Sequence, residues 1–141
     1  MKIRRLIRIS LIAIFIACVL LYNLHCNRYT KQFEVMTQDI LINAHSWQEL
    51  LVEAVAEEAI SEGHTRELLS ENSSFVHEIE YEPEYSGIYL VTKWMFPSEE
   101  GILISNIDIA PIPHSRNTGT EIEFLGSANE LFLYRLHYYW D

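Results

Sequence analysis

The sequence predicts an α+β protein: an N-terminal transmembrane helix, then an amphipathic helix or helix pair, then a four- to five-stranded antiparallel sheet. Three observations carry this. A basic head precedes an apolar run, Ile9 to Leu24. A three-to-four-residue apolar period covers Thr30 to Ser61, and a two-residue period begins at Phe75. Helices followed by strands, rather than alternating with them, favour a segregated α+β layout.

The apolar run reads ISLIAIFIACVLLYNL, interrupted only by Ser10 and Asn23. A spanning helix needs about 20 mostly apolar residues and a signal-peptide core roughly 7–15. The run falls between the two. Ile3, Leu6 and Ile7 lengthen it, because Arg4, Arg5 and Arg8 can bend their charged ends back to the lipid surface. A cleaved signal would place small residues at −3 and −1, but Ala17 at −1 puts Phe15 at −3. Phe15-Ile16-Ala17-Cys18 also resembles a lipobox, in which Cys18 would be lipid-modified. Apolar Val19 to Tyr22 stand where a polar tether is usual. The expectation is an uncleaved anchor over residues 1–26, contacting lipid through residues 9–24, with an outer domain over 27–141. The side richer in Lys and Arg stays cytoplasmic. Lys2, Arg4, Arg5 and Arg8 therefore hold the N-terminus inside the cell (inner) membrane and the rest outside.

Charge divides the chain at the same place. Six of the 10 basic residues lie at or before Lys31, and all 20 acidic residues lie after it. Residues 1–31 thus carry +6, and the four remaining basic residues leave 32–141 at −16. Such an acidic domain disfavours nucleic acid and anionic lipid. A basic protein partner is its natural complement. Cys18 and Cys26 are eight helical residues apart, about 12 Å, which is beyond disulfide reach. Cys26 could cross-link two copies in an oxidising compartment.

Within the helical stretch, Phe33, Met36, Ile40, Ala44, Trp47, Leu51 and Ala54 mark one apolar stripe suited to packing on a sheet. Ser46-Trp47-Gln48-Glu49 has the form of a capping box, so a second helix is expected from Ser46. Gly63 is the expected stop, with a short helical turn over Thr65–Ser70.

From Phe75, residues Phe75, His77, Ile79 and Tyr81 alternate with Val76, Glu78, Glu80 and Glu82, a half-buried strand with a wet acidic face. Ile88 to Phe96 reads as a central strand, Pro97 to Gly101 as a turn, and Ile102 to Ile109 as the return strand of a hairpin. Pro111 and Pro113 end it, and His114 to Gly119 reads as a polar loop. Glu121 to Leu125, a turn over Gly126 to Asn129, and Leu131 to Trp140 complete a meander.

No chemistry is legible. The six histidines lack the spacing of a helical zinc pair, although His77 and His137 both fall on expected strands. No nucleophile motif or phosphate-binding glycine loop is present, and no cofactor or metal is implied. Glu57-Glu58 and Glu99-Glu100 do not resemble a catalytic dyad, the latter lying in the expected turn. Asn72-Ser73-Ser74 fits a glycosylation sequon. The candidate partner-binding residues are Glu78, Glu80 and Glu82, whose side-by-side charges are either solvated or matched to something positive, and Tyr139 beside His137 and Arg135.

Membrane helix, amphipathic helix, then antiparallel sheet resembles the element order of type IV pilins and pseudopilins, and helix followed by meander that of cystatin-like domains. The prepilin glycine and following glutamate are replaced here by the polybasic head and Ser10. The leading expectation is a non-enzymatic, single-pass membrane protein presenting an acidic domain for protein–protein interaction. The alternatives are a pilin-like or other envelope-complex or homo-oligomer subunit, and a lipoprotein with a small-ligand-binding cystatin-like domain.

Overall fold

The computed structural model describes residues 2–72, 74–95, 97–109 and 119–139. Phe96, the Pro111–Pro113 stop, His114 and most of its loop, Trp140, and Ser73 of the sequon lie outside these. The elements are α1 (Lys2–Ile42), α2 (Ala44–Glu57), α3 (Glu62–Asn72), β1 (Glu78–Glu82), a 3₁₀ turn (Pro83–Tyr85), β2 (Gly87–Met95), β3 (Ser98–Ser105), β4 (Thr120–Ala128) and β5 (Leu131–Tyr139). The chain divides into two compact units, Met1–Val35 and Met36–Asp141.

The first unit is helical throughout its described residues. No Gly or Pro occurs before Gly63, so nothing in the backbone chemistry interrupts α1. Residues 9–24 are all exposed, and α1 is long and apolar enough to cross a membrane.

In the second unit α1 ends at Ile42, four residues before the expected capping box begins. Asn43 causes the break. Its side-chain amide donates to the Asp39 carbonyl at 2.9 Å, the same oxygen its backbone N–H reaches at 3.0 Å. An asparagine that bonds the preceding turn competes with helix continuation. Ser46 therefore falls inside α2 and caps nothing.

Gly63 does not stop the helix either. Glu58 does, in the left-handed conformation at φ 52°, with its N–H donated to the Ala54 carbonyl. Ser61 then caps α3, accepting the His64 N–H on its hydroxyl at 3.3 Å. Gly63 sits inside that helix, which extends the expected Thr65–Ser70 turn at both ends.

The sheet is fully antiparallel, in the order β1-β2-β3-β5-β4. It is not the expected meander: β3 pairs with β5, and β4 lies at the edge beyond it. Strand bounds shift as well. Phe75 and Val76 precede β1 yet are buried. Ser98 to Gly101 belong to β3 rather than a turn, so Glu99 and Glu100 are strand residues on opposite faces. β4 bulges at Leu125, between Phe124 and Gly126, and the hairpin to β5 turns instead at Asn129 and Glu130, with φ 50° and 64°.

Each face of the sheet has its own buried set. On the helix face lie Ile88, Leu90, Ile102, Ile104, Leu131 and Leu133, all fully buried. Met36, Ile40, Ala44, Leu51 and Ala54 bring the helical stripe to the core, with Leu51 fully buried. α2 packs on β2, and Leu41 lies against Gly126, where a Cβ would come within 3.2 Å of it. The opposite, open face is filled by Tyr85, Tyr89, Val91, Leu103, Ile109, Tyr134 and Leu136, a cluster without a residue from α1, α2 or α3. Tyr89 takes its room from Gly101, whose missing side chain leaves space for the ring.

Candidate functional site

Strand register decides which of the sequence candidates meet. Glu78 lies opposite Val91, Glu80 opposite Tyr89 and Glu82 opposite Gly87. Tyr89 lies opposite Leu103, which lies opposite Tyr134. All three glutamates therefore share the open face with the tyrosine-rich cluster. Glu99 joins them: it stands opposite Trp94 on one side and Tyr138 on the other. Tyr138 packs edge-on against Tyr89, with ring centroids 5.5 Å apart.

Tyr139 is on the other face, opposite Ser98. It stacks on His137 with centroids 4.5 Å apart and the planes 11° from parallel. Arg135, also on that face, pairs with Glu100 through Nε at 3.4 Å and with Glu123 through a terminal nitrogen at 3.3 Å. The expected Tyr139–His137–Arg135 grouping thus exists, but the sheet separates it from the glutamate stripe. His77 precedes β1 and His137 lies on β5, with β2 and β3 between these strands, so the two histidines do not meet.

The open face changes its carboxyl groups. Loss of hydration pushes Glu80 up to about 7, reinforced by a hydrogen bond with Glu78 and by the charges of Glu78, Glu99 and Glu82. Glu80 itself is an exposed residue on the edge strand. Glu82 is raised by partial burial and by Glu84. Glu99 is raised by partial burial and Glu78, against a hydrogen bond with Tyr89 that holds it down. Burial and the surrounding carboxylates also push the Tyr85 and Tyr138 phenols up.

Sequence inspection missed Glu99, Trp94, Tyr89 and Tyr138 as neighbours of the stripe. Their only signal was strand register, which two-residue alternation does not reveal. Among the described residues no three His, Cys, Asp or Glu side chains are arranged to hold a metal ion. Cys18 and Cys26 are free thiols on α1, the first exposed and the second half-buried. The arrangement suits recognition: a patch of negative charge beside exposed aromatic surface, where Trp94 is 61% exposed. Comparison with protein-family models, with curated proteins and with solved structures finds no match.

Proposed function

We propose that the chain is a single-pass membrane-anchored protein that presents its acidic α+β domain outside the cytoplasm to bind another protein. The carrying observation is the segregation of charge around one apolar helix. Residues 1–31 hold +6 and residues 32–141 hold −16, with the exposed run 9–24 inside the first segment. Basic residues ahead of a spanning helix favour cytoplasmic retention of that end. An acidic surface favours a basic protein over nucleic acid or anionic lipid.

The two cysteines offer a direct test. Cys26 follows the apolar run and Cys18 lies within it. A membrane-impermeant maleimide added to intact cells should label Cys26 and leave Cys18 unlabelled. Labelling of Cys26 only after permeabilisation reverses the orientation and ends the proposal. For the partner, cross-linked complexes of the full chain should weaken as salt rises, since exposed charge pairs are screened over about 10 Å at 0.1 M. Salt-insensitive capture rules out an electrostatic interaction.

A further inference from the structure

We propose that the open sheet face binds an extended basic segment of a protein partner, its Lys or Arg side chains seated on Glu78, Glu80, Glu82 and Glu99, with Trp94 and Tyr138 flanking the cation on Glu99. This rests on the protein-binding function proposed above and names the surface that performs it.

Charge complementarity selects the occupant. On the helix face of the same sheet, Glu100 and Glu123 are matched by Arg135. On the open face the strands contribute four glutamates, and none of its described residues is Lys or Arg. The two faces thus treat the same residue type in opposite ways. Crowded like charges destabilise an empty face, and a cation set among them removes that cost.

Spacing fits an extended chain. Glu78, Glu80 and Glu82 alternate along β1, so successive carboxylates are about 6.5 Å apart. That is the repeat of side chains on one side of an extended segment, so a basic residue at every second position meets one glutamate each.

The aromatic rim completes the fit. Trp94 is 61% exposed in register with Glu99, and Tyr138 is half-buried on the other side of that glutamate. A Lys or Arg between them has a carboxylate and an aromatic face together.

Occupancy also becomes sensitive to acid. The charged groups acting on Glu80 are Glu78, Glu82 and Glu99, Tyr89 stands opposite it in register, and among the described residues of this face none is cationic. With Glu80 titrating at about 7, a cationic partner has to displace its proton as pH falls. Affinity is therefore expected to drop between pH about 8 and about 6.

The test uses the full chain in detergent micelles and a fluorescent octapeptide alternating lysine and valine, read by anisotropy. Glu80→Gln with Glu99→Gln should weaken binding about tenfold, and Trp94→Ala several-fold. Glu49→Gln with Glu57→Gln removes the same charge from α2 and should leave binding within about twofold. A serine–valine octapeptide should not bind. Equal losses from the sheet and helix variants overturn the proposed face while leaving a charge-driven interaction standing. Absence of peptide binding, or equal binding of the serine peptide, overturns the electrostatic occupant altogether. Unchanged circular dichroism of the variants ties any loss to the surface rather than to unfolding.

Discussion

Tyr134→Phe tests what holds the open-face cluster together. Tyr134 is fully buried, and its hydroxyl accepts the backbone N–H of Ile109 at 2.7 Å while donating to Asp108 at 3.1 Å. Asp108 is exposed and can bond water instead, so losing its donor costs little. Ile109 is only 3% exposed, and its N–H is left without this acceptor. A buried donor stripped of its partner costs about 1–3 kcal/mol. The phenyl ring still fills the space and still packs beside Phe124, whose ring centroid is 5.6 Å away, so no cavity is added. A net loss of about 2 kcal/mol is therefore expected. For a domain of about 100 residues, 1 kcal/mol moves the midpoint by roughly 4–8 °C, so Tm should fall by on the order of 10 °C. The assay is thermal unfolding of the full chain in detergent, followed by near-ultraviolet circular dichroism. Tyr139→Phe is the control, because Tyr139 is 44% exposed and should lose under about 0.5 kcal/mol. A fall of less than about 3 °C for Tyr134→Phe, or an equal fall for both variants, would refute the role given to this hydroxyl.

Two further outcomes follow from the same face. Glu80 is protonated more readily in the folded state, at about 7, than in the unfolded chain, near 4.5. The folded state then binds the extra proton between these values, so stability is highest below about 4.5 and is lost as pH rises towards 7. Solvent screening at this exposed position reduces the effect to about 1 kcal/mol. Urea titrations should show Glu80→Gln flattening the decline between pH about 5 and about 8, and an unaltered slope would sink the assignment. Gly101→Ala would drive a methyl group into the Leu90 carbonyl and the Tyr89 ring. Backbone cannot yield as a flexible side chain does, so a loss of about 3 kcal/mol or more is expected in urea unfolding, and a midpoint near that of the parent would contradict the close approach.

Much of the architecture was legible because it rests on local periodicity. The 3.6-residue stripe from Met36 to Ala54 and the alternation around Ile79 are printed in the chain, and so are the apolar run and the charge asymmetry around it. Element boundaries were less legible. Ser46 and Gly63 offer the standard signals, but Asn43 and Glu58 form the actual stops and Ser61 caps the start of α3. In each case the outcome depended on which local hydrogen bond formed, and several residues within one turn could have supplied it. The turn expected at Pro97–Gly101 failed for a related reason: Glu99 and Glu100 look like loop residues until β5 offers them a pairing partner.

Sequence alone determined the membrane-suited helix, the class of fold and the division of charge, since each depends on residue type and spacing along the chain. Only the tertiary structure decided which glutamates share a surface. The order β1-β2-β3-β5-β4 brings Glu99 beside the Glu78–Glu82 stripe, sends Tyr139 to the opposite face and gives Arg135 to Glu100 and Glu123. Strand pairing joins residues distant in sequence, and a shift of one residue in register would move every side chain to the other face.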